Sequence, residues 1–109
     1  MKKVNEMRFI TEMVVLINES IKDITADDCS RWESACQRAK YALGMTDSLI
    51  TFTNCMISAE NNNFTADMGE VEDNLKADIY QALAQAAMKF KKDDATISKY
   101  FEKRDSYRN

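Results

Sequence analysis

A chain of 109 residues that contains no proline and only two glycines, Gly44 and Gly69, has little with which to make tight turns. A domain built from many short strands needs turn residues every ~8–12 positions, so the sequence argues against an all-β fold and for long helices. Histidine is absent as well. That removes the commonest general base, the Ser-His and Cys-His nucleophile pairs and the usual zinc and di-iron ligand sets. The expectation is no metal, no cofactor and no enzymatic activity. With 45% apolar and 30% charged residues, the composition is that of a globular chain that folds as a single domain over 1–109.

Helical periodicity locates the elements. Met7, Ile10, Met13, Val14, Ile17, Ile21 and Ile24 fall on one arc of a helix wheel, opposite Arg8, Glu12, Glu19, Lys22 and Asp23, which predicts a helix over 3–23. Thr25 and Asp28 have capping-box spacing and Ile24 and Cys29 the spacing of a hydrophobic staple, which starts a second helix over 26–43. Its apolar face is Trp32, Ala35, Cys36, Ala39, Ala42 and Leu43. Gly44 followed by Met45 and Thr46 reads as a helix stop and a new cap, so a third helix spans 46–60. The alternative, one helix through Gly44, costs about 1 kcal/mol relative to alanine. The Asn61-Asn62-Asn63 run then breaks the chain, with Asn63-Phe64-Thr65 read as a turn and cap rather than a glycosylation site. A fourth helix over 65–91 carries Met68, Val71, Leu75, Ile79, Ala82, Leu83, Ala86 and Phe90. Asp93 or Asp94 caps a short last helix over 94–104, with 105–109 frayed. The fold expected is an all-α, up-and-down bundle of about four helices plus a short C-terminal one.

The longest apolar run, Met13 to Ile17, is far short of the ~18 residues a membrane span needs, and no signal-peptide pattern follows the N-terminus. The three cysteines, Cys29, Cys36 and Cys55, form no CxxC and suit reduced thiols, so a cytoplasmic location is expected. Charge is unevenly placed. Residues 1–88 hold 8 Lys/Arg and 14 Asp/Glu, residues 89–109 hold 7 and 4, and none of Tyr41 through Leu75 is basic.

Two patterns bear on nucleic acid. Residues 39–50, with Leu43, Gly44, Met45, Thr46 and Ile50, resemble the turn of a helix-turn-helix motif. Lys40 and Thr53 depart from its apolar pattern, and the would-be recognition helix carries Asp47 and no basic residue, although phosphate attraction supplies most non-specific DNA affinity. In the basic tail, Lys99, Lys103 and Arg104 are interleaved with Tyr100, Phe101 and Tyr107, a candidate nucleic-acid contact diluted by Asp93, Asp94, Glu102 and Asp105. The carboxylates Asp67, Glu70 and Asp73 lack the glycine-centred loop of a calcium site and read as a solvated face.

The segment 46–60 is the most distinctive. Met45, Leu49, Phe52, Cys55, Met56 and Ala59 make one apolar stripe, and Ile50 and Ile57 lie on a second. Such a helix is central in its own bundle, expected here as the most buried element, or shared with another chain. The function expected is therefore a non-enzymatic protein–protein interaction module, a regulator, adaptor or stoichiometric inhibitor acting as a homo-oligomer, with Ile50, Ile57, Leu49, Phe52 and Met56 at the interface. The alternative is a helical nucleic-acid-binding regulator.

Overall fold

The computed structural model describes the backbone of residues 2–60 and 68–108 and the side chains of residues 8–56 and 68–108. Four helices make up these residues: α1 (Lys2–Ile24), α2 (Trp32–Glu60), α3 (Met68–Lys89) and α4 (Asp94–Arg108). No described helix is long and apolar enough to cross a membrane. Residues Thr65, Ala66 and Asp67, read as the opening of the fourth helix, and the Asn61-Asn62-Asn63 run lie outside the described residues.

The break expected at Gly44 does not occur. Along α2 the residues Ala35, Ala39, Ala42, Thr46, Leu49 and Thr53 are all 0–1% exposed and follow one another at alternating spacings of four and three. This 3.5-residue period keeps one seam facing the core on both sides of the glycine. Burying a side chain such as Leu49 contributes roughly 1.5–3 kcal/mol, which outweighs the ~1 kcal/mol that a helical glycine loses. Thr46, read as a cap, instead turns its hydroxyl back to donate to the Ala42 carbonyl at 2.8 Å, and Thr53 does the same to Leu49 at 2.8 Å. The helix-turn-helix resemblance falls with the turn.

The start of α2 is also later than its capping box suggests. Residues 25–31 form an irregular connection because tertiary partners take its polar groups. Arg38 donates to the Asp23 carbonyl at 2.7 Å and to the Asp28 carboxylate at 3.0 Å. Lys89 donates to the carbonyls of Ala26 at 3.3 Å and Cys29 at 3.0 Å. Ile24 and Cys29 are both fully buried, so the two apolar residues of the staple enter the core without starting a helix between them.

Helices α1, α2 and α3 share one apolar cluster, with Ile17, Ile24, Leu49 and Ile79 fully enclosed. The most buried helix is α3 rather than the segment 46–60. It has two seams: Leu75, Ile79, Ala82 and Ala86 join the central cluster, while Ala77, Ala84 and Ala87 are buried outside it. Alanines at a 3–4 spacing let α4 approach this second face closely. The α3–α4 turn is a Schellman motif: Lys92 N–H donates to the Ala87 carbonyl at 2.8 Å, Lys91 N–H to Met88 at 3.1 Å, and Lys91 sits at φ 57°. Asp93 caps α4, its Oδ1 accepting from Thr96 N–H at 3.2 Å, which holds its carboxyl below the usual range.

The expected fraying beyond Arg104 is absent through Arg108. Tyr107 stacks on Tyr80 with centroids 5.9 Å apart, and Arg108 pairs with Asp78 at 3.8 Å, so the last turn has partners on α3. The molecule is long and thin, 49 × 29 × 14 Å, with a Cα radius of gyration of 15.6 Å. A compact chain of this length has a radius near about 13 Å.

Candidate functional site

The α1–α2 pair packs antiparallel and shows its outer face to solvent. Phe9 and Phe52 meet at one end, ring centroids 4.7 Å apart and planes tilted by 49°. Separately, a groove of about 910 Å³ lies between the helices, lined by Met13 and Leu16 on α1 and by Tyr41, Gly44 and Met45 on α2. Leu16 is 50% exposed, Tyr41 64%, and Phe9 and Phe52 about two-fifths each. Gly44 is exposed, and a Cβ added there would meet nothing within 4 Å, so its bare backbone opens the groove floor.

The spacing of these residues is a second helical seam. Phe9, Met13, Leu16 and Ser20 on α1, and Gln37, Tyr41, Gly44 and Ser48 on α2, alternate steps of four and three just as the core seams do. A 3.5-residue period is what keeps one helix in contact with another over several turns. On the rims, Glu12 and Glu19 flank Leu16 on α1, and Lys40 flanks Gly44 on α2, all exposed. The signal was in the sequence, since Phe9 and Leu16 lie off the arc that α1 buries.

The residues singled out for an interface are placed differently. Leu49 is 1% exposed and belongs to the core. Ile50 and Met56 are half-buried, Ile50 packing against the core cluster. Phe52 is exposed and lies beside Phe9. The side chains of Ile57 and Ala59 lie outside the described residues.

Of the tail residues, Arg104 is engaged, donating to Gln81 and pairing with Asp105 at 2.7 Å. Lys99 and Lys103 lie over the rings of Tyr100 and Tyr80, at 5.6 and 5.4 Å from the centroids. Lys76 bridges Glu72 at 2.9 Å and Asp47 at 3.2 Å, and those hydrogen bonds push its pKa up. Glu70 and Asp73 are exposed on α3. Burial raises the Cys36 thiol, with Glu33 adding to the shift, which is opposite to what an activated nucleophile needs. Among the described residues there is no group of three or more His, Cys, Asp or Glu that could hold a metal ion. Comparison of the chain with protein-family models, with curated proteins and with solved structures finds no match.

Proposed function

We propose that this protein is a non-enzymatic protein–protein interaction module whose working surface is the α1–α2 groove, and that the groove's occupant is a second copy of the chain. The observation that carries the reading is the exposed seam, apolar at Phe9, Leu16 and Tyr41, which has the same period as the buried seams of the core and no covering element among the described residues. Large apolar side chains rimmed by polar ones are the usual mark of a contact surface.

Area supports a partner of this size. The chain exposes 7075 Å². A 12.5 kDa monomer is expected to expose about 6,200 Å². The excess, roughly 900 Å², is close to the ~800 Å² per partner that a standard interface buries. Charge supports a second copy in particular. In a two-fold mate laid with its α1 against α2, Glu12 and Glu19 of one copy approach Lys40 of the other, and unlike charges at a rim favour that register.

Sedimentation equilibrium on the wild type and on a Leu16→Glu, Tyr41→Glu double variant tests this. The expected result is a wild-type dimer and a variant monomer with an unchanged helical spectrum and melting curve. A wild type that is monomeric throughout the concentration range would overturn the reading. The competing reading, a nucleic-acid-binding regulator, is the weaker one, because α2 runs straight through Gly44 and Arg104 already has protein partners.

A further inference from the structure

The other flank of α2 carries a second concavity, facing α3 and α4, which shares only Lys40 with the groove. This cleft holds about 220 Å³ between Leu43 on α2, Tyr80 and Leu83 on α3, and Tyr100 on α4. Three lysines line it, Lys40, Lys99 and Lys103, and among the described residues no carboxylate does.

The charges are concentrated rather than dispersed. Lys99 and Lys103 are one helical turn apart on α4, a spacing at which like charges repel by a few tenths of a kcal/mol. Their ammonium groups are held over the faces of Tyr100 and Tyr80, two rings stacked at 6.3 Å with planes 17° apart. Lys40 faces them from α2. None of the three forms an ion pair with a described residue, whereas Lys76, Arg38, Arg104 and Arg108 all do. The cleft lining thus supplies no counter-charge of its own.

We propose that the α2–α4 cleft binds a small amphipathic anion, an aryl or branched alkyl carboxylate or phosphate monoester. The apolar body rests on Leu43, Leu83 and Tyr100, and the anionic head lies among Lys40, Lys99 and Lys103. The lining sets the class: three apolar side chains make a short floor for one ring, and three ammonium groups border a place for its head group. A nucleic acid is the poorer fit, since it needs cations spread along a backbone, and α3 and α4 also carry Asp78, Asp93, Asp94 and Asp105.

The test is a nitrogen-15 NMR titration of the full chain with phenyl phosphate and benzoate, with benzamide as the neutral analogue, and with inorganic phosphate and a short single-stranded oligonucleotide as competitors. Saturable shifts are expected for amides in 36–43, 80–83 and 99–103 with one or both aryl anions. Benzamide should bind weaker by about tenfold or more, because charge-assisted hydrogen bonds carry the head group. A Lys99→Gln, Lys103→Gln variant, which leaves the α1–α2 groove untouched, should lose a similar factor. Lys91→Gln, outside the cleft, should bind as the wild type does. Equal binding of benzamide, the same shifts with inorganic phosphate alone, no saturable shift with either aryl anion, or binding of the oligonucleotide alone would each overturn the assignment.

Discussion

Lys89 and Cys29 stand 60 positions apart in the chain and are joined in space, the ammonium donating to the carbonyl at 3.0 Å. The same ammonium reaches the Ala26 carbonyl at 3.3 Å. One side chain at the end of α3 thereby satisfies two acceptors of the α1–α2 connection. Replacing it with methionine keeps the stem and removes the donors, and the expected loss is about 1 kcal/mol in a urea unfolding experiment, as for a solvent-accessible charge-assisted hydrogen bond. Lys89→Arg should recover part of that loss.

Two backbone positions should be improvable. Gly44 is helical, exposed and free of neighbours at its missing Cβ, so Gly44→Ala should stabilise by about 1 kcal/mol. Lys91 has the left-handed conformation that glycine adopts without strain, so Lys91→Gly should also stabilise, by about 1 kcal/mol, through the Schellman turn. Thermal unfolding should show the two gains to be additive, because one site is in the middle of α2 and the other in the α3–α4 turn, and a Cβ at Gly44 meets no neighbour.

The buried threonines give a sharper contrast. Thr46 and Thr53 donate to carbonyls that already accept from the helix backbone, so Thr→Val at either position should change stability by less than about 1 kcal/mol. Thr→Ser keeps the hydroxyl but deletes a buried methyl and should cost about 1 kcal/mol. Chemical denaturation of the four single variants distinguishes shape from hydrogen bonding as the requirement of this seam.

Thiol reactivity should rank by burial and charge. Cys55 is exposed, Cys36 is half-buried with its thiol raised, and Cys29 is fully enclosed. A disulfide reagent at neutral pH should modify one thiol quickly, one slowly and one only on unfolding. Cys55→Ser should abolish the fast phase alone.

Acid should weaken the connection before the core. The Arg38 guanidinium holds the Asp28 carboxyl below its ordinary value of 3.8. A carboxyl depressed in the folded state contributes stability above its unfolded pKa, and that contribution is lost as pH falls through the folded one. The melting temperature should therefore drop below about pH 4. In Asp28→Asn this part of the drop should be missing, and the variant should melt slightly lower at pH 7.

Most of the architecture was legible because it rests on local periodicity. The limits of α1, the cap at Asp93 and the apolar face of α3 follow from spacings within a few turns. What was not legible depended on distant residues. The Thr25 capping box lost its Asp28 carboxylate to Arg38, and Lys89, which no local window contains, took the Ala26 and Cys29 carbonyls. The Gly44 stop was a sound local reading, overruled by a seam whose benefit exists only once α1 and α3 are in place. For the candidate site, the sequence reading named Phe52, which lies beside Phe9, and did not name Phe9, Leu16 or Tyr41. A search for one apolar arc per helix discards the second, shorter arc on which those three lie.

The two seams of α3 set how this protein comes apart. None of the described α4 residues is fully buried, and the surface it covers on α3 is largely alanine. Peeling α4 away leaves Ile17, Ile24, Leu49 and Ile79 enclosed among α1, α2 and α3, so its amides should exchange with solvent through a local opening of lower free energy than global unfolding. The newly bared face would carry Tyr80 and Trp32 beside the alanines, because Tyr100 and Tyr107 cover those rings in the closed form. A molecule that yields there first keeps its central core and bares rings that favour the return of its outermost helix, a reversible way to absorb thermal stress.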